Sequence, residues 1–332
     1  MKVLFIGGTG NISTSCTHDA LARGIELYHL NRGSSGRRAP EGVNTLTGDI
    51  RDREATRKLL KGMQFDVVVD WIAFTPEHIR TDLELFRDST GQFIFISSAS
   101  VYHKPVRQQI ITESTPAYNP FWEYSQNKIA CEQLLWKEYT ETGFPMTIVR
   151  PSHTYSTGWF PTSFGSADFT YPQRMIDGRP VVVHGDGTSL WTLTHTDDFA
   201  RAFNGLLGHP QAIGETFHIT SDEQLTWDEV HIAIGAAFGV TPEIVHVPSD
   251  VIARFDPEVG AGLVGDKAHS VIFDNAKIKR YVPGFQATIP FHEGMRRSAA
   301  WIAEHPDEKQ IHDSINRLVD RLIEAMQAVR PE

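Results

Sequence analysis

Short apolar runs alternate with amphipathic stretches over the first 150 residues. The runs have the length and continuity of buried strands, as in Val67-Val68-Val69, and the stretches between them repeat at helical spacing. Six strands are predicted, at residues 3–6, 26–30, 43–46, 65–71, 93–96 and 146–149. Helices are predicted between them, at residues 11–23, 52–61, 76–87 and 122–142.

This order of elements indicates an α/β fold. Continuous apolar strands separated by helices form a parallel sheet covered on both faces. Right-handed crossovers then give a Rossmann-type, doubly wound sheet over residues 1–150. Residues 151–332 are less regular, and we expect a smaller C-terminal α/β substrate-binding lobe that interleaves with the sheet. Its predicted elements are strands at 181–183 and 216–219 and helices at 197–207, 227–238 and 307–328.

A glycine-rich turn joins the first strand to the first helix, in the sequence Gly7-Gly8-Thr9-Gly10-Asn11-Ile12-Ser13. Gly7 permits a tight turn, and Gly10 lets the backbone approach a pyrophosphate at the helix N-terminus. This context predicts an NAD(P)-binding domain, although a glycine-rich turn without a ligand is the alternative. The predicted contacts are Gly7, Thr9, Gly10, Asn11 and Ile12, and Ser13 stands where a third glycine is usual.

The end of the second strand carries the group that reads the adenosine ribose in such folds. Asn31 and Arg32 stand there instead of an acid, which favours NADP over NAD because no carboxylate repels a 2′-phosphate. In the alternative, Arg32 is a solvated loop charge and NAD binds through Asn31. Two more arginines follow in the loop, Arg37 and Arg38. Asp49 and Ile50 are predicted to contact the adenine, although Asp49 could instead cap the next helix.

Tyr124 and Lys128 are four residues apart on the long predicted helix and so project from one face. The lysine cation is expected to lower the pKa of the tyrosine towards neutrality, so that the phenol can exchange a proton with a substrate oxygen. Ser98 follows the fifth strand and could hydrogen-bond the same oxygen, or merely cap the next segment. Together with the glycine turn, this group predicts hydride-transfer chemistry.

These motifs resemble the extended short-chain dehydrogenase/reductases, the NAD(P)-dependent epimerase/dehydratase group that acts largely on sugar nucleotides. Gly185-Asp186-Gly187 and the segments 194–198 and 214–219 are similar to C-terminal landmarks of that group. Asn31-Arg32-Gly33 and Phe273-Asp274-Asn275 resemble an atypical branch that includes chloroplast stem-loop RNA-binding proteins.

The resemblance implies catalytic roles for Ser98, Tyr124 and Lys128, with Lys128 also holding the nicotinamide ribose. It implies cofactor contacts for Ala73, Pro151 and Ser152 and substrate contacts for Ser98, Ser100, His153 and Trp191. The group usually has Asn at the position of His153 and Arg at that of Trp191. Because tryptophan cannot grip a diphosphate, a sugar without a nucleotide is an open alternative.

The reaction predicted from this resemblance is transient oxidation of a sugar carbon, followed by its reduction. Ala99 and Ser100 occupy the positions of the usual dehydratase acids, so an epimerase or a dehydrogenase/reductase is favoured over a dehydratase. RNA binding and a catalytically silent nucleotide sensor are the alternatives. With 31 Lys and Arg against 41 Asp and Glu, the net charge of −10 makes nucleic acid an unlikely partner.

Composition narrows the remaining classes. The 332 residues are 40% hydrophobic, and their two cysteines, Cys16 and Cys131, form no spaced framework. No metal-site histidine spacing occurs, and no apolar run reaches the roughly 18 residues of a membrane span. A cytoplasmic protein without a signal peptide is expected. The resemblance also implies a homodimer formed through the helices at 76–87 and 122–142.

Overall fold

A computed structural model describes residues 1–34, 36–164 and 168–329. The strands are β1 (Lys2–Ile6), β2 (Glu26–Asn31), β3 (Asn44–Thr47), β4 (Phe65–Asp70), β5 (Thr90–Ile96), β6 (Ile110–Ile111), β7 (Met146–Pro151), β8 (His153–Tyr155), β9 (Val181–His184), β10 (Leu190–Trp191), β11 (Leu193–His195), β12 (Glu215–Ile219), β13 (Leu225–Thr226), β14 (Ile244–Val247) and β15 (Ile272–Phe273). The helices are α1 (Asn11–Ala22), α2 (Arg53–Leu59), α3 (Pro76–Phe86), α4 (Glu123–Thr142), α5 (Thr170–Ile176), α6 (Thr196–Asn204), α7 (Trp227–Ala237), α8 (Ser249–Phe255), α9 (Pro257–Gly262), α10 (Ala276–Tyr281), α11 (Phe291–Glu304) and α12 (Asp313–Val329).

The main sheet has seven parallel strands in the order β3-β2-β1-β4-β5-β7-β12. The doubly wound α/β prediction is confirmed, and the six strands predicted in residues 1–150 have ends within three residues of those observed. The strand order reverses between β1 and β4, which opens a crevice at their carboxyl ends.

The seventh strand of this sheet comes from the later half of the chain. β12 extends the sheet beside β7, with Glu215 opposite Thr147 and Ile219 opposite Pro151. Residues 216–219 are predicted from the sequence to belong to the C-terminal lobe, but their hydrogen-bond partners lie in the main sheet. The division of the chain at residue 150 therefore remains a prediction about the substrate lobe, not a boundary of the sheet.

The two faces of the sheet are buried under different helices because successive strand residues point to opposite faces. Val3 and Phe5 face a core shared with Phe203 of α6, while Leu4 and Ile6 face a core shared with Leu135 of α4. All four strand side chains are fully buried. α4 ends at Gly143, whose φ of 74° is the left-handed conformation that glycine adopts without strain.

The later half builds a third core around aromatic side chains, including Tyr155, Trp191, Trp227 and Phe291. The two-stranded pairs β8–β11, β9–β14, β10–β13 and β6–β15 frame it. The predicted C-terminal helix was wrong at its start: α12 begins at Asp313, and residues 306–308 form a separate 3-10 turn. Among the described residues, none of the helices has the length and apolarity needed to span a membrane.

Candidate active site

Three adjoining cavities run along the carboxyl edge of the sheet. The first, of about 420 Å³, shares Gly7, Gly10 and Ile72 with a middle cavity of about 360 Å³. The middle cavity meets a third, of about 260 Å³, at the residues Ser98, Tyr124, Pro151, Ser152 and His153. These three cavities form one groove, which passes the glycine turn and ends against the aromatic core of the later half. We call them the adenosine, central and substrate cavities, after the ligand parts that the sequence analysis predicts for the residues lining them.

The glycine turn is held by the serine that replaces the usual third glycine. The Gly10 N–H donates to Ser13 Oγ at 2.8 Å, and Ser13 Oγ donates to the Gly7 carbonyl at 2.9 Å. Gly7 has a φ of +82°, and a Cβ there would lie 2.5 Å from Ile72 Cγ2. Ser13 therefore stabilises the turn, a role that the sequence analysis missed because it treated this residue only as a tolerated substitution.

The adenosine cavity is lined by Thr9, Asn31, Arg32, Asp49 and Ile50, whose contact with a cofactor stays a prediction. Arg37 also lines it. Arg32 Nη1 is 4.0 Å from Asp49 Oδ2, and the Arg32 side chain is 65% exposed, so this ion pair leaves the guanidinium free to bind an anion. Asp52, not Asp49, is the N-cap of α2, because its carboxylate accepts the Ala55 N–H.

Lys128 lies under the central cavity and is bound to the backbone of two strand ends. Its Nζ donates to the carbonyls of Ala73, at 2.6 Å, and Ile96, at 2.7 Å. The Phe74 ring centroid lies 4.7 Å from the same ammonium group. Burial is the main cause that lowers the pKa of Lys128, to about 8. Ala73 is itself fully buried, so its carbonyl positions the lysine.

The pKa of Tyr124 is shifted in the direction opposite to the one expected from the sequence. Burial raises the pKa of Tyr124 to about 12, and its hydrogen bond with Ser98 opposes that rise only in part. Lys128 Nζ is 5.8 Å from the Tyr124 ring centroid and is bound to carbonyl oxygens instead. The expected shift of the Tyr124 pKa towards neutrality is therefore wrong, and the phenol keeps its proton at neutral pH.

The hydroxyl groups beside Tyr124 form a chain that leads into α4. Ser98 Oγ and Ser100 Oγ are 2.9 Å apart, and Ser125 Oγ donates to Ser100 Oγ at 2.8 Å. Ser100 is 2% exposed, and it lines the substrate cavity together with Ser98. The chain fixes the orientation of Ser98, which is half-buried and lines both the central and the substrate cavity.

His153 and Trp191 meet in the substrate cavity and set each other's orientation. The Trp191 indole N–H donates to His153 Nδ1 at 3.2 Å, so the neutral imidazole carries its proton on Nε2. Burial lowers the pKa of His153 to about 3 and keeps the ring neutral. Trp191 is only 2% exposed and packs 5.3 Å from the ring of Trp227. It therefore forms a wall of the cavity.

The substrate cavity also contains residues that the sequence analysis missed, namely Trp122, Asp266, Lys267, Val271 and Phe273 as lining groups. The segment 263–267 forms a π-helical turn that carries Asp266 and Lys267. No local periodicity marks such a turn. The only signal was a pair of opposite charges beside an apolar stretch, and that signal is too common to be used alone.

The groove fits a dinucleotide at the glycine turn. Asn11 Nδ2 donates to the Thr154 carbonyl at 3.0 Å, but its buried Oδ1 has no hydrogen-bond partner among the described residues. Gly10 opens α1 towards the adenosine and central cavities, where backbone N–H groups and the helix dipole favour an anion. Ile12, Pro151 and Ser152 line the central cavity, and their contact with a cofactor stays a prediction.

A family model described as the NAD dependent epimerase/dehydratase family matches residues 3–220. The chain belongs to this family. The resemblance drawn from its motifs is thereby confirmed, and the match extends through β12, the last strand of the sheet.

Two relatives differ in what their names describe. The chain is 25% identical over 286 residues to a 2′-dehydrokanamycin reductase of Streptomyces kanamyceticus, covering 86% of this chain and 80% of the relative. It is 28% identical over 260 residues to a chloroplast stem-loop binding protein of 41 kDa from Arabidopsis thaliana. That match covers 74% of this chain and 65% of the relative, slightly less than two thirds of its length.

Solved structures support the fold. An epimerase of Methanothermobacter thermautotrophicus superposes with a TM-score of 0.76 at 19% identity, covering 92% of this chain and 93% of that one. A UDP-glucose 4-epimerase of Thermotoga maritima, solved with UDP-glucose, superposes with a TM-score of 0.75 at 20% identity, covering 92% and 100% of the two chains. The family member described here therefore shares its architecture with these epimerases over nearly its whole length.

Proposed function

We propose that this family member is an NAD(P)-dependent oxidoreductase or epimerase that acts on a sugar or sugar nucleotide by hydride transfer. The observation that carries the proposal is the groove itself, because it leads from the glycine turn to Ser98, Tyr124 and the buried Lys128. Catalytic hydroxyl, phenol and ammonium groups meet where the reactive end of a bound dinucleotide would lie. Proton exchange is the chemistry that such groups can supply.

A nicotinamide bound in the central cavity would supply or accept the hydride at a substrate carbon. Gly10, Asn11 and Ile12 would hold its pyrophosphate, and Lys128 would face its ribose. Tyr124 donates its proton to a carbonyl oxygen as that carbon is reduced, and Ser98 hydrogen-bonds the same oxygen. In the oxidising direction the same phenol oxygen takes up the alcohol proton. The protonated state of Tyr124 favours its role as the acid in carbonyl reduction.

The reaction classes are ranked by the groups beside Ser98. Ala99 and Ser100 offer no carboxyl group for an elimination, so reduction or epimerisation is proposed ahead of dehydration. The similarity to a 2′-dehydrokanamycin reductase supports the reductive alternative, with a sugar that carries no nucleotide. Trp191 supports the same reading, because it cannot provide the bidentate contact that a diphosphate requires.

RNA binding is the second candidate, since one relative is a chloroplast stem-loop binding protein. The net charge of −10 is unfavourable for a polyanionic partner, and counterion release requires clustered cations. Hydride transfer is therefore the function proposed here. A protein that binds no nicotinamide cofactor but does bind RNA would reverse this ranking.

Arg32→Ala is expected to weaken NADP binding by about tenfold or more and to leave NAD binding nearly unchanged. The guanidinium lines the adenosine cavity, and a charge-assisted contact to a 2′-phosphate is worth about 1.5–3 kcal/mol. Calorimetric titration of both cofactors measures the difference. Arg38→Ala is the matched control, because Arg38 does not line that cavity. Equal losses for NAD and NADP in Arg32→Ala would contradict the NADP preference.

The rate of carbonyl reduction is expected to fall as the pH rises through about 8. The pKa of Lys128 is lowered to about 8, so its ammonium is charged below that pH and neutral above it. The charged form favours the phenolate that Tyr124 becomes after giving up its proton, and each further pH unit then costs at most about tenfold. Steady-state kcat measured from pH 6 to 10 by NAD(P)H absorbance gives the profile.

The variant Lys128→Arg distinguishes titration of Lys128 from a general loss of stability as the cause of the alkaline limb. Arginine stays protonated through the whole range, so the alkaline limb near pH 8 is expected to disappear in an active variant. Lys137→Arg, at an exposed position of α4, should keep the profile of the unmodified protein. An unchanged limb in Lys128→Arg would show that another group titrates.

A further inference from the structure

Lys267 places an ammonium group at the substrate cavity. The residue is half-buried at the end of the π-helical turn 263–267, and it lines the cavity together with Tyr124, Trp122 and His153. A Cβ built on Gly262 would lie 3.9 Å both from Lys267 Nζ and from Trp122 Cζ2. Lys267 Nζ and the Trp122 indole therefore both approach Gly262, and both residues border the cavity.

In the part of the chain that the structure describes, no carboxylate oxygen lies within ion-pair distance of this ammonium group, and the carboxylate that acts on it from farther away is Asp266. Within the described ranges, neither a hydrogen bond nor an ion pair reaches Lys267 Nζ, although the main-chain carbonyl of Lys267 accepts from His184. The other buried lysine of the groove, Lys128, donates to two carbonyls. An ammonium group at a cavity without an acceptor in the protein is available to an anionic ligand, and a charge-assisted contact of this kind is stronger than one between neutral groups.

The neighbouring carboxylate, Asp266, is shared between two ammonium groups. Asp266 Oδ1 lies 3.6 Å from Lys104 Nζ, and the Lys104 side chain is fully buried. One carboxylate therefore faces two ammonium groups, those of Lys104 and Lys267, and it can balance the charge of only one of them. Three histidines also lie near this turn: His153, which is neutral, His184, whose pKa burial lowers to about 4, and His269, whose Nε2 is 2.9 Å from the Val264 carbonyl. The surplus charge in the cavity is positive.

The size of the cavity and the residues of its walls limit which negatively charged ligand could pair with Lys267. Its volume of about 260 Å³ is slightly below the roughly 300–1,000 Å³ of sites for drug-sized ligands. Its walls are mostly aromatic and aliphatic, formed by Trp122, Trp191, Val271 and Phe273. Aromatic walls suit the apolar faces of a single sugar ring. The ring would lie between Ser98 and Tyr124 on one side and Lys267 on the other.

We propose that the substrate is a small sugar carrying an oxyanion, either a carboxylate or a phosphate ester, which Lys267 binds. This inference rests on the hydride-transfer function proposed above and names its substrate class. The charged group pairs with Lys267, while the carbon that exchanges hydride faces Tyr124 and Ser98. Lys267 is thus a specificity-determining residue, and it takes no part in proton transfer.

The test measures by calorimetry how sugars bind to protein that has first been saturated with NADP or NAD. Binding of the cofactor shows that the protein is folded and tests the proposed function separately from the substrate class. Three probes are compared: D-glucuronate, D-glucose 6-phosphate and D-glucose. At least one anionic probe is expected to bind about tenfold or more tightly than glucose, as one charge-assisted contact predicts. The tighter of the two anions distinguishes the carboxylate from the phosphate ester.

Three variants decide the outcome. Lys267→Met should lose the preference for the anionic probe, Lys267→Arg should retain it, and Lys137→Met should match the unmodified protein, because Lys137 is an exposed lysine of α4. A loaded protein without an anion preference, or a preference that survives in Lys267→Met, overturns this inference and leaves the proposed function intact. Failure to bind either cofactor overturns both.

Discussion

Tyr124→Phe is expected to lower kcat for hydride transfer by about 100-fold to 10,000-fold, the usual contribution of a positioned general acid or base. The phenol is the group at the junction of the central and substrate cavities that can give a proton to a carbonyl oxygen. Phenylalanine keeps the ring and its packing against Trp122, whose centroid is 4.8 Å away, and removes only the hydroxyl. Cofactor affinity should therefore change little.

Single-turnover and steady-state NAD(P)H absorbance, combined with a cofactor titration, measure the two halves of this expectation. Tyr118→Phe is the matched control, because Tyr118 is 51% exposed and lies outside the three cavities. It should keep full activity. If turnover in Tyr124→Phe stays within a factor of a few of the unmodified protein, this tyrosine is not the proton donor.

Glu132→Gln is expected to lower the free energy of unfolding by about 3–5 kcal/mol, because it leaves a buried guanidinium without its counter-charge. Arg150 donates to both Glu132 oxygens, at 2.9 and 2.5 Å, and the two side chains are 6% and 4% exposed. The Arg150 guanidinium also lies 4.7 Å from the Tyr102 ring centroid, so it cannot leave its site without disturbing that packing. The glutamine cannot carry the negative charge that this geometry requires.

Urea unfolding at pH 7 measures the loss. Glu138→Gln provides the control on the same helix, since Glu138 pairs with Arg87 at 2.7 Å and the Arg87 side chain is 40% exposed. Glu138 is 18% exposed, so solvent reaches both partners of this pair, and such a pair contributes roughly 1 kcal/mol. If both variants lost a similar free energy of unfolding, burial would not be the reason that the Arg150–Glu132 pair matters. Because Glu132 lies one turn beyond Lys128 on α4, the same pair also secures the helix that carries the catalytic lysine.

The part of the site nearest the glycine turn could be predicted because its signals are local. Gly7 and Gly10 lie between a strand and a helix, and that context alone indicated where a pyrophosphate would lie. The spacing of Tyr124 and Lys128 likewise predicted one helix face. The part that recognises the substrate could not be predicted in the same way. Lys267 reaches the cavity through a π-helical turn, more than one hundred residues after Tyr124 in the chain, and only tertiary packing makes them neighbours.

The sequence by itself determined the α/β class, the six strands of residues 1–150 and the position of the glycine turn between β1 and α1, because apolar periodicity and glycine placement are local properties of the chain. Tertiary structure decided the seventh strand, β12, whose partner β7 lies more than sixty residues earlier. It also decided the protonation of Tyr124 and the unpaired charge of Lys267. Burial and the distance to other charges control both, and those quantities exist only once distant segments have packed together.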